Sequence, residues 1–186
     1  MPRDRCNEWA ADIHRFWFEE LRSEQWFRKD AALDDTIRVR FLGHHEYAAG
    51  AHISDLMLDG QATVAAVIAL DQFPRNMFRG TPRAFATDAK AIALAQAAID
   101  AKLDATLNKN ERLFLYLPFE HCEDAAAQAR SVALFAALED PELLKYAQAH
   151  KAIIDRFGRF PHRNAVLGRP STREEVEFLN GPNSSF

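Results

Sequence analysis

The sequence predicts an all-α protein of about seven or eight helices in antiparallel pairs around one core. Apolar residues recur at steps of three and four in nearly every segment, the spacing that lines one face of a helix. No alternating run rich in Val, Ile and Thr offers a half-buried strand. Aspartate, threonine or proline heads most of the apolar runs, where an N-cap or a first helical residue belongs. The chain has 186 residues, which suits a single domain over 1–186, and its 14 Phe supply core volume that a disordered chain lacks.

Trp9, Ile13, Phe16 and Trp17 mark the first helix. Residues 20–34 carry the weakest pattern, with Trp26 and Phe27 expected to dock that stretch onto the body. Asp34 reads as the N-cap of a second helix reaching Gly50, with Ile37, Phe41 and Leu42 on its face. Asp59-Gly60 precede a run from Gln61 to Gln72 that is apolar on nearly all sides and so predicts burial. Thr81-Pro82 reads as the start of the next helix, with a seam of Phe85, Ala89, Ile92, Gln96, Ile99 and Leu103. Asn108 to Phe119 packs five large apolar residues consecutively, Leu113 to Leu117, and is also expected to be buried. Asp124 to Leu138 follows, with Val132, Phe135 and Leu138 inward. After Asp140-Pro141, Leu143, Ala147, His150, Ile154 and Phe157 repeat at steps of four and three, which puts His150 on an apolar seam and assigns it to the core. Ser171-Thr172-Arg173-Glu174-Glu175 resembles a capping box for a last short helix ending near Leu179.

Composition excludes several classes of function. The net charge of −4 and pI of about 6.0 give no drive toward nucleic acid or an anionic membrane, and the arginines are scattered among acids. The N-terminus shows no signal-peptide core, and apolar runs such as Ala62–Leu70 fall short of the about 20 residues that cross a bilayer. Cys6 and Cys122 form no CxxC, which fits a reduced, cytoplasmic setting. No GxSxG elbow, P-loop, dinucleotide turn, HExxH or zinc-finger spacing occurs, so neither a cofactor nor a metal is expected.

Two segments echo each other. Phe73-Pro74-Arg75-Asn76 is followed by Arg79-Gly80, and Phe160-Pro161-His162-Arg163-Asn164 by Gly168-Arg169. Each follows an apolar helical run with an acid near its end, Asp71 and Asp155. Proline lacks the N–H that would continue a helix, so each echo is expected just beyond a helix end. Arginine presents a planar fork of donors suited to carboxylate or phosphate, and asparagine both donates and accepts. Asp71 shares a face with Val64, Val67 and Ile68, so it predicts a buried carboxylate with an arginine partner: Arg75, Arg79 or Arg163. His162 sits in a corner expected to be open to solvent and can move protons near neutral pH. A third polar node, Pro118-Phe119-Glu120-His121-Cys122-Glu123-Asp124, is expected to turn the chain and bring Glu120 and His121 out beside the core.

These blocks carry a resemblance. Leu70-Asp71-Gln72-Phe73-Pro74-Arg75-Asn76, Leu115-Tyr116-Leu117-Pro118-Phe119-Glu120-His121 and Arg156 to Asn164 resemble signatures of the bacterial family catalogued as domain of unknown function 924. The opening Phe16-Trp17-Phe18 and the closing Ser184-Ser185-Phe186 fit as well. Cys122 stands where many relatives are expected to have serine, which argues against an essential thiol. The resemblance implies an all-α fold of tetratricopeptide-like kind and brings no activity.

Three functions follow as expectations. The first is a polar pocket for a small anionic metabolite: Arg75, Arg79 and Arg163 hold the anion, Asn76 and Asn164 orient it, Asp71 and His162 move protons, and Glu120 and His121 lie on the rim. The second is a tetratricopeptide-like interaction module that clamps a peptide carboxylate. In the third the same residues are structural fasteners.

Overall fold

The computed structural model describes residues 5–182 and 184, with side chains from Glu8 onward. Ser185, Phe186 and the side chain of Cys6 lie outside the described residues. These contain nine α-helices and no strand: α1 Arg5–Arg15, α2 Ala31–Gly50, α3 Ile53–Leu56, α4 Gly60–Met77, α5 Asp88–Asp100, α6 Lys109–Glu120, α7 Ala125–Ala136, α8 Pro141–Phe157 and α9 Arg173–Leu179. The protein is all-α. The chain divides into two compact units, Met1–Arg79 with Arg83–Pro118, and Gly80–Pro82 with Phe119–Phe186.

The first unit is built on α4, against which α1, α2 and α5 pack. From Ala62 to Pro74 every residue of α4 is buried, as a run without a polar face requires. Asp59 caps it by accepting the Ala62 N–H. Leu33, Ile37, Phe41 and His45 recur at steps of four along α2 and turn inward. The N-cap of α2 is Asp30, not Asp34: its carboxylate accepts from the N–H groups of Ala32 and Leu33. Asp34 instead stands in the first helical turn with its side chain free for other work. Phe16–Glu20 forms a single π-helical turn, and its Trp17 ring packs edge to face against Phe73 and Phe114, while Trp26 meets Phe114 in the same way.

Both inner prolines lie within helices. Pro74 sits in the last turns of α4 and Pro118 in the last turn of α6, so neither ends its helix. A proline at 74 leaves the Leu70 carbonyl without its usual donor. The Thr87 hydroxyl takes its place at 2.5 Å, and the His45 Nδ1 reaches the neighbouring Ala69 carbonyl at 2.8 Å. Pro82 opens a 3-10 turn, Pro82–Phe85, and α5 starts only at Asp88.

In the second unit α7 and α8 form a packed pair. Asp124 and Asp140 cap them, and Gly158 ends α8 in the left-handed region at φ 68°. Thr172 and Glu175 make the expected capping box on α9.

Candidate functional site

Four candidate residues belong to the first unit. Asp71 is 1% exposed, accepts from Gln72 Nε2 at 2.6 Å and faces Arg75 Nη1 at 3.2 Å. Arg75 also forks onto Asp88 at 2.8 and 2.9 Å and donates to the Asp71 main-chain carbonyl. Burial would lower the Arg75 pKa, but Asp71 and Asp88 outweigh it and hold it above the ordinary arginine value. Asn76 and Arg79 converge on Asp34, the residue that does not cap α2: Asn76 Nδ2 donates at 2.7 Å and Arg79 from two nitrogens at 2.8 Å. Burial would raise the Asp34 carboxyl, but these bonds keep it below the usual aspartate range. The donors expected to hold a ligand here are engaged with carboxylates of the unit itself.

The other five belong to the second unit, where segments 118–124 and 155–169 do meet. After Gly158 the chain turns through the 3-10 segment Pro161–Arg163, and two carboxylates hold that corner. Glu123 accepts the Phe160 N–H at 2.7 Å and both arms of Arg169 at 2.6 and 2.9 Å. Glu175 takes both arms of Arg159, and the guanidinium beside it brings its carboxyl down to about 2. Asn164 is consumed in the same lattice, donating to Ser171 and Glu175 and accepting from Arg169. The second echo is therefore a turn after a helix, whereas the first lies inside one. Their acids differ too: Asp71 is buried, while Asp155 is exposed and paired with Lys151.

Within that corner the fully buried Phe160 ring gathers basic groups. The Arg163 guanidinium lies over it at 4.6 Å, and the rings of His162 and His150 stand 5.6 and 5.7 Å away. Arg163 is only 7% exposed, and His162 is half-buried where an open corner was expected. His121 is centred 6.3 Å from His150. His150 Nδ1 lies 2.9 Å from the Tyr146 carbonyl and 3.2 Å from Glu120 Oε1, and Glu120 is itself buried. Burial, opposed by the Tyr146 carbonyl and reinforced by the charges of His121, His162 and Arg163, pushes His150 down to about 3. At neutral pH this ring is uncharged. Among the described residues no group of three or more His, Cys, Asp and Glu is placed to hold a metal.

Sequence reasoning missed Asp34, Asp88, Glu123 and Glu175 as partners and read His150 as a satisfied core histidine without naming what satisfies it. A buried histidine level with Glu120 has no signature in spacing, because its partner is thirty residues away in sequence. Asp34 was findable: Asp30 four residues earlier is an equally good cap and leaves Asp34 beside the inward Leu33 and Ile37.

An all-α chain with polar corners at its helix ends is the class these elements define. The chain belongs to the family described as bacterial protein of unknown function (DUF924), which matches residues 13–183. It is similar to a solved structure titled as a protein of unknown function, ATU0120, from Agrobacterium tumefaciens, at 42% identity and a TM-score of 0.88 over 92% of this chain and 96% of that one. No curated protein matches the chain.

Proposed function

We propose that the second unit binds a small anion, with the Arg163 guanidinium as its anchor, the imidazoles of His121, His150 and His162 around it, and Glu120 beside them. The observation that supports this reading is the gathering of one buried guanidinium and three imidazoles about Phe160 and His150. In a poorly solvated corner a guanidinium attracts an oxyanion far more strongly than in water. Asp71, Arg75, Asn76 and Arg79 are assigned to fastening the first unit's helices, and Asn164 to shaping the corner. Acid–base chemistry on a small acidic metabolite suits the imidazoles, and a cytoplasmic setting suits such a ligand. No helix among the described residues is long and apolar enough to cross a membrane.

A thermal-shift screen of small carboxylates, phosphates and sulfates tests it. A ligand that binds only the folded state raises stability by about 2.7 kcal/mol at a hundred times its Kd. At least one anion should raise the Tm of the wild type. Arg163→Ala should lose that shift, and Arg173→Ala, whose side chain is 94% exposed, should keep it. If no anion stabilises the wild type, the reading fails. It fails equally if Arg163→Ala lowers the Tm yet keeps the full ligand shift, which would make Arg163 a fastener like Arg75.

A further inference from the structure

We infer that the Gln128 amide oxygen and the Ser131 hydroxyl, on one inward face of the second unit's α7, seat a single neutral hydroxyl group, supplied by water or by an alcohol function of a ligand. The inference goes beyond the anion reading and stands apart from it, because neither residue is among those proposed to hold the anion.

Both side chains are fully buried, and among the described residues neither Gln128 Oε1 nor Ser131 Oγ has a hydrogen-bond partner. A buried polar atom left in that state costs free energy, so two of them on one helix face point to an occupant. The Gln128 amide cannot be turned round to relieve its oxygen. Its Nε2 donates to the main-chain carbonyls of Glu120 at 2.7 Å and Cys122 at 2.8 Å, with that of Phe119 at 3.4 Å. Those carbonyls belong to the end of α6 and the turn after it, and the reversed amide would set oxygen against oxygen. Ser131 does not use the local alternative either. The hydroxyls of Thr36 and Thr63 donate to the carbonyl four residues back, at 2.8 and 2.6 Å, and Ser131 makes no such bond.

The two atoms lie within reach of one bridging oxygen. Residues three apart on a helix have Cβ atoms about 5–6 Å apart, and each side chain leans toward the helix N-terminus, which carries the Ser131 hydroxyl toward Gln128. Across the packed pair of α7 and α8, counted from the turn at 137–140, Gln128 stands at the height of His150 and Ser131 at that of Ala147. Alanine leaves more room at that level than a larger apolar residue would.

The chemistry of the two atoms selects the occupant. Oε1 only accepts, whereas Oγ both donates and accepts. A hydroxyl that donates to Oε1 and accepts from Ser131 satisfies both. A carboxylate has no proton to give Oε1. An ammonium has no lone pair for the Ser131 hydroxyl, and burial penalises its charge.

NMR of the full-length, ligand-free protein tests the seat, with water and methanol as probes. Water held there gives Overhauser transfer to the Gln128 side-chain NH2 and to Ser131 protons. Methanol entering the seat gives saturable shifts of the same groups. The inference holds if either signal appears in the wild type and is lost in Ser131→Ala. A water signal alone identifies an internal water, and a methanol shift identifies a seat open to a ligand's hydroxyl. Neither signal in the wild type, or the same signal surviving in Ser131→Ala, overturns the inference, whatever the anion screen returns. Should Ser131→Ala not fold, a crystal structure of the wild type grown with methanol decides. A water or methanol oxygen must lie within hydrogen-bond distance of both Gln128 Oε1 and Ser131 Oγ, and a dry contact there overturns the seat.

Discussion

Arg75 and Arg163 occupy the same place in the two echoes, and their surroundings separate them. Arg75 faces the carboxylates of Asp71 and Asp88, and Arg163 lies on an aromatic face amid imidazoles while its charge also acts on the Glu123 carboxylate. For the first, the account predicts a stability effect. Asp71→Asn keeps the shape but removes the charge that Arg75 Nη1 and Gln72 Nε2 answer, so urea unfolding should show a loss of about 2 kcal/mol. Asp88 still supports Arg75 in that variant, which keeps the loss below that of an orphaned charge. An unchanged midpoint would show that Asp71 is not needed to hold the pair. That Asp71 must be buried was legible from its helical spacing to Val64, Val67 and Ile68. Which arginine answers it was not, because the choice among Arg75, Arg79 and Arg163 depends on where Asp34 and Asp88 fall in space.

Among the elements, the starts of α2 and α5 and the end of α4 were misread, and for α4 the reason is a single hydroxyl. Proline breaks a helix partly by leaving the carbonyl of residue i−4 without a donor, and Thr87 supplies that donor at Leu70. Thr87→Val should therefore destabilise by about 1–2 kcal/mol. Pro74→Ala restores an N–H at position 74, so the Thr87→Val loss should shrink in that background. A double-mutant cycle reads the coupling directly, and additive losses would show that Thr87 does not serve the proline. Gly60, at the start of α4, is a contact requirement: a Cβ there would meet Thr106 Oγ1 at 2.6 Å, Leu107 Cδ2 at 3.0 Å and the Leu103 carbonyl at 3.1 Å. The Thr106 hydroxyl can swing aside, but the main-chain carbonyl cannot, so Gly60→Ala should cost about 1–3 kcal/mol in thermal or urea unfolding. A neutral Gly60→Ala would contradict the close approach. The face of α5 was also misread. Ala91, Leu94, Ala95 and Ala98 are buried, whereas Ile92 and Ile99 are half-exposed. Pattern reading weights bulk, and here small alanines form the buried face.

Over the whole molecule, the all-α class and nearly every apolar face were legible, because burial repeats at 3.6 residues whatever the tertiary partners are. The corner at 158–171 was legible only as a list of polar residues. Its order comes from Glu123 and Glu175, which reach it from other elements. His150 and Glu175 shape the response to acid. His150 is held at about 3 against the ordinary 6.5, so the unfolded chain binds the extra proton between those values. Stability should therefore fall as pH drops through that window, by at most about 1.4 kcal/mol per unit from this residue. Glu175, at about 2 against 4.5, contributes fully above 4.5 and loses its share as pH falls toward 2. Urea unfolding across pH should show the upper part of this decline flattened in His150→Gln, and an unflattened profile would assign the decline to other groups.

The anion site in the second unit is the central claim, and a residue-resolved sulfate titration followed by backbone amide NMR tests it most directly. The account predicts shift changes concentrated at 119–123, 146–150 and 160–164, saturating together, and absent in Arg163→Ala. Changes confined to exposed helix starts elsewhere, or the same changes at these three segments in Arg163→Ala, would contradict it.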